Sequence, residues 1–136
     1  MKTSLRLAAA ALLALATATA LACGYCIEDR VAAVYDQNVV DASARGHRTV
    51  AFFSIEGDVR DDAASRRAVG AALKAAGAAD GSSRVALVNA ACSMAYNPSR
   101  TSLDAVVAAA NRPLASHGLA LAPLRVIDAG GKLREP

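Results

Sequence analysis

Apolar residues recur at intervals of three and four through Ile27, Val31, Val34, Tyr35, Val39 and Ala42, which predicts one amphipathic helix over residues 27–45, ended by Gly46. A run of β-branched and aromatic residues over 48–55 predicts a strand. Asp61 and Asp62 then introduce a second helix reaching about residue 79. Its apolar face is Ala64, Ala68, Ala72 and Ala76 with Val69 and Leu73, and Asp80-Gly81 breaks it. Residues 84–90 and 92–96 predict two adjacent strands joined by a tight turn of small residues and closed by Asn97-Pro98-Ser99. Thr101 and Asp104 have the spacing of a capping box. Leu103, Val106, Val107, Ala110 and Leu114 give the helix that follows its buried face. A last strand over 120–128, bent at Pro123, leads into a tail from Gly130.

Leaving the first helix aside, the order is strand, helix, strand, strand, helix, strand. That is the split βαβ arrangement of an α+β, ferredoxin-like βαββαβ sandwich, here with an additional N-terminal helix. Such a sheet normally leaves one face open. In residues 50–55, 85–88 and 124–127, however, side chains pointing either way are mostly apolar, the pattern of strands covered on both faces. The helix over 27–45 is therefore expected on the second face or across its edge.

The first residues change the picture of where the chain works. Lys2 and Arg6 precede an apolar run over 7–15 and small residues over 16–20, the three-part layout of an export signal. The run falls short of the roughly 20 apolar residues that span a bilayer. The expected organisation is a signal peptide over 1–22, a Cys-x-x-Cys segment and helix over 23–46, a ferredoxin-like domain over 47–129 and a tail over 130–136. The expected location is periplasmic or secreted. Cleavage after Ala18-Thr19-Ala20 would leave Leu21 first, whereas cleavage after Ala20-Leu21-Ala22 would leave Cys23 first. The second site coincides with a loose lipoprotein pattern, in which lipidation consumes the Cys23 sulfur and anchors the chain. Membrane contact is expected only in that case.

Losing Lys2 and Arg6 brings the formal charge of +3 towards neutrality, and no basic stripe points to nucleic acid. No Ser, His and Asp spacing, phosphate-cradling Gly loop or catalytic carboxylate pair supports hydrolysis or nucleotide chemistry. The candidate chemistry lies in Cys23-Gly24-Tyr25-Cys26, directly before a helix. With three cysteines, at most two pair within the molecule: Cys23 with Cys26, or either of them with Cys92. A helix N-terminus is expected to lower the pKa of the Cys26 thiol. Two soft thiolates on one loop suit Cu(I), or make half of a tetrahedral zinc site. The same pair also suits thiol–disulfide exchange with a protein partner. Cys92 and Met94 alternate with Tyr96 on one strand face and form a weaker soft-ligand set, although free cysteine is among the most buried residue types. His47 and His117 fall in predicted loops. Asp58, Asp61 and Asp62 are explained by the dipole of the helix they precede.

Residues 84–118 resemble the second half of heavy-metal-associated domains, the modules of copper chaperones and metal-transporting ATPases. The resemblance rests on Met94-Ala95-Tyr96-Asn97-Pro98-Ser99-Arg100-Thr101-Ser102-Leu103-Asp104, similar to that family's strand, turn and capped helix. It implies the ferredoxin-like fold, a soft-metal cargo and core positions for Met94 and Tyr96. The family holds metal with Gly-Met-x-Cys-x-x-Cys between the first strand and the next helix. The equivalent loop here, residues 54–58, has no thiol, and the Cys-x-x-Cys spacing occurs instead before the added helix. Thioredoxin-like enzymes place that motif after a central strand, usually behind a Trp, and this chain has no Trp. The expected function is therefore that of a non-enzymatic, exported Cu(I) carrier or buffer using Cys23 and Cys26. The alternative is an envelope interaction module, lipid-anchored through Cys23, with a Cys26–Cys92 disulfide.

Overall fold

The computed structural model describes residues 26–136. Two helices come first, α1 (Ile27–Val34) and α2 (Gln37–Arg45), followed by β1 (Thr49–Gly57), α3 (Ala63–Ala75), β2 (Arg84–Ala86), β3 (Ala91–Tyr96), α4 (Leu103–Leu114), β4 (Leu119–Ile127) and β5 (Leu133–Arg134). The sheet order is β2-β3-β1-β4-β5, with every neighbouring pair antiparallel. Its first four strands have the ferredoxin-like order.

β1 lies at the centre because it is apolar on both sides, and period-2 alternation splits its side chains between two cores. Ala51, Phe53 and Ile55 join Cys92, Met94, Tyr96 and Leu121 beneath Val69 and Leu73 of α3 and Val106 and Leu114 of α4. Val50 and Phe52 point the other way, joining Ala91, Ala95 and Ile127 beneath Val34, Val39 and Val40. The added helical segment thus covers the second sheet face. The Ser93 hydroxyl donates to the Val34 carbonyl at 2.9 Å, and the Tyr35 and Phe52 rings stack with centroids 6.5 Å apart.

Five details differ from the sequence expectation. The helix expected to reach about residue 79 ends at Ala75, and Gly77 follows it with a positive φ of +92°. The helix expected over 27–45 is two helices, because Tyr35 and Asp36 are extended and the Asp36 carboxylate caps α2, accepting from the N–H groups of Asn38 and Val39. The strand expected over 84–90 stops at Ala86. A 3₁₀ turn follows that buries Leu87 and leaves Val88 73% exposed, so that stretch is not covered on both faces. Ser102, rather than Thr101, caps α4, through a bond from the Ala105 N–H. Beyond residue 130 the chain returns along β4 as β5, with the Asp128 carboxylate accepting from the N–H groups of Gly130 and Lys132. At Pro123, where a bend is expected, the structure shows a register shift. Between Phe52 and Phe53 the β4 partner jumps from Arg125 to Pro123, a bulge of the kind that accommodates a residue with no N–H to donate.

Asp36 also ties the added segment to the far edge of the sheet, since the Arg84 guanidinium meets it at 2.8 Å. That bond, followed by the N–H groups of Val39 and Asn38, holds the Asp36 carboxyl below its ordinary value of 3.8. A depressed carboxyl contributes stability above its unfolded pKa and loses that contribution as pH falls through the folded one. Asp36→Asn is therefore expected to lower the melting temperature at about pH 7, with the difference from wild type shrinking towards about pH 2. Melting curves across that range check it. A difference that stays constant would assign the effect to cap shape alone.

Candidate metal centre

The residues expected to form a signal peptide with its cleavage and lipidation sites, and Cys23, lie outside the described residues. Cys26 is the first residue described. It is exposed at the N-cap of α1, in the extended conformation usual for that position, and its side chain makes no capping bond to the helix backbone. Instead the Cys26 thiol donates to the Asp29 carboxylate at 2.9 Å.

This contact reverses the electrostatic expectation. The Cys26 thiol is raised above its ordinary value of 9.0, mainly because the S–H bond to Asp29 is lost on ionisation. The negative charges of Asp29 and Glu28 add to the shift, while the Asp29 backbone N–H opposes it. The carboxylates that favour the helix N-terminus thus stand beside the sulfur and outweigh the dipole there. Near neutral pH, Cys26 is a protonated, accessible thiol.

Cys92 is sealed on the opposite sheet face, among the residues under α3 and α4, and burial pushes its thiol far up. Both cysteines are free, so the Cys26–Cys92 disulfide is not made. Met94 and Tyr96 are buried in the same core as Cys92, placing the weaker soft-ligand set inside the packing. His47 and His117 are exposed. In the loop where heavy-metal-associated domains carry their thiols, β1 simply runs on to Gly57, and Asp58 pairs with Arg60 at 2.8 Å. Among the described residues no three His, Cys, Asp or Glu side chains converge as a ligand set. Among the described residues no second accessible sulfur accompanies Cys26.

Beside Cys26 the structure forms a groove that sequence periodicity did not reveal. It encloses about 370 Å³ between α1 and the β4–β5 edge, lined by Ile27, Val31, Tyr35 and Leu133, with Glu28 and Arg125 among its walls. The α1 stripe carried half of the signal. The other half depends on β5, a two-residue strand too short for periodicity to register. Among the described residues no helix is long and apolar enough to cross a membrane.

No protein-family model, curated protein or solved structure matches the chain.

Proposed function

We propose that the protein is an exported, non-enzymatic carrier or buffer of a soft metal ion, Cu(I) in first place, held by Cys23 and Cys26. The observation that carries this reading is the contrast between the two described thiols. Cys26 stands in solvent at the end of a helix clamped to the sheet, and Cys92 is locked in the core. A thiol used for packing is buried, whereas one used for exchangeable ligation is accessible and held on a rigid element. The ferredoxin-like strand order and the 94–104 stretch similar to heavy-metal-associated domains also favour a soft-metal module, with the dithiol before β1 rather than after it.

Two thiolates suffice for Cu(I), and binding would release the proton that Cys26 shares with Asp29. Metal affinity should accordingly weaken as pH falls. The same protonated state makes Cys26 a slow attacking thiol, and its proton must leave for ligation and for thiol–disulfide exchange alike.

The test is a Cu(I) titration against a chromophoric chelator on the purified, reduced protein. Cys26→Ser should lower affinity by about a hundredfold or more, since the loss of a ligand exceeds the 10–100-fold typical of outer-shell changes. Exposure at the N-cap predicts an unchanged melting temperature for this variant. Cys92→Ser should leave Cu(I) affinity unchanged. Wild-type affinity in Cys26→Ser would sink the proposal.

A further inference from the structure

Of the four large hydrophobic side chains exposed among the described residues, three line the groove beside Cys26: Ile27 (36% exposed), Tyr35 (44%) and Leu133 (58%). The fourth, Val88, stands elsewhere at the turn after β2. Scattered single apolar residues are ordinary on a surface, but a concave cluster with a charged border marks an interaction site.

The charge around the groove selects its occupant. Arg125 is the cation in its wall, and its side chain is only 20% exposed, tucked between Glu135 at 3.3 Å and Glu28 at 3.9 Å. Those two carboxylate side chains are 81% and 76% exposed. An approaching molecule therefore meets an apolar floor behind an acidic rim. A second copy of this chain would bring the same acidic rim against itself. An anionic amphiphile would have to share Arg125 with two carboxylates.

We propose that this groove docks a protein segment with apolar anchors flanked by lysine or arginine. Apolar side chains of the segment fill the space over Ile27, Tyr35 and Leu133, and its cations face Glu28 and Glu135. Central apolar anchors carry most of the affinity of such a contact, whereas the charged rim sets partner choice and association rate. Ile27 adjoins Cys26, so a segment seated here brings its protein against the thiol. That the docked protein is the one giving or receiving the metal rests on the dithiol reading, whereas the docking itself does not.

The experiment uses Cys26→Ser protein, so that docking is measured without the metal site. A Leu/Lys amphipathic peptide and its Leu/Glu counterpart are titrated at low ionic strength while backbone amide shifts are followed by NMR. The Leu/Lys peptide should shift the amides of Ile27, Val31, Tyr35 and Leu133, leave Val88 unmoved, and lose affinity as salt is added. Leu133→Asp, at a position 58% exposed, should weaken binding by roughly tenfold or more. Equal binding of the Leu/Glu peptide, shifts clustered away from the groove, or undiminished binding by Leu133→Asp would overturn the proposal. So would concentration-dependent shifts of the same amides without peptide, which would assign the groove to a second copy.

Discussion

Phe53→Ala is expected to destabilise the protein by about 3–5 kcal/mol, the usual range for emptying a buried phenylalanine site. Phe53 is 0% exposed at the centre of β1, between β3 and β4 and under both α3 and α4. Its neighbours cannot readily collapse into the space. Ala51, Ala72 and Ala110 have no longer side chain to extend, and the strand on either side is held by ladder hydrogen bonds. Domains of this size are typically stable by only about 5–15 kcal/mol, so the loss is a large fraction of the total. Urea unfolding followed by circular dichroism measures it. A cost below about 1 kcal/mol would mean that the core repacks around the gap, contrary to the rigidity argued from the alanines.

Gly57→Ala is expected to cost on the order of 3 kcal/mol for a different reason. Gly57 ends β1 at φ +106°, a conformation that L side chains rarely adopt, and an added Cβ would collide with the backbone carbonyl oxygen of Gly118. Neither backbone has freedom to retreat, because Gly57 is paired opposite Leu119 at the start of β4. Gly118 supplies the control. It also has positive φ, at +67°, but a Cβ there meets nothing within 4 Å, so Gly118→Ala should show only the left-handed backbone cost of about 1–2 kcal/mol. Denaturant unfolding of the two variants separates collision from conformational strain. If Gly57→Ala is no worse than Gly118→Ala, the close approach of the two chain segments is not the limiting feature.

These two positions also show how unevenly the fold was legible in the sequence. The alternation that makes Phe53 and Phe52 serve different cores was readable from residues 50–55 alone, as were the apolar stripes of α3 and α4. The order of elements was enough to reach the ferredoxin-like sandwich, and apolar residues on both sides of the strands showed that something must cover the second face. The collision at Gly57 was invisible, because it depends on Gly118, a residue reached only after two helices and two strands intervene. The break at Asp36 was legible in part. Asp is a strong N-cap, but the three-and-four spacing of apolar residues carries across it and masks the interruption.

The candidate centre divides in the same way. Sequence placed a cysteine at the start of a helix and a second candidate in a buried strand, and both positions follow from local pattern. It misjudged the Cys26 proton, because helix-dipole reasoning treats Glu28 and Asp29 as partners of the backbone and cannot show that the Asp29 carboxylate turns to the thiol.

The two-sided alternation of β1, the apolar faces of α3 and α4 and the order of the four main strands, and with them the fold class, were determined by the sequence alone, because each depends on neighbours within a few residues whose geometry the backbone dictates. Only the tertiary structure decided that Asp36 meets Arg84 across 48 positions, that Ser93 holds Val34 across 59, and that β5 brings Leu133 beside Ile27 to make a groove. Such contacts are chosen by the closing of two cores around one sheet, where the partner of each side chain is set by burial and register rather than by anything adjacent in the chain.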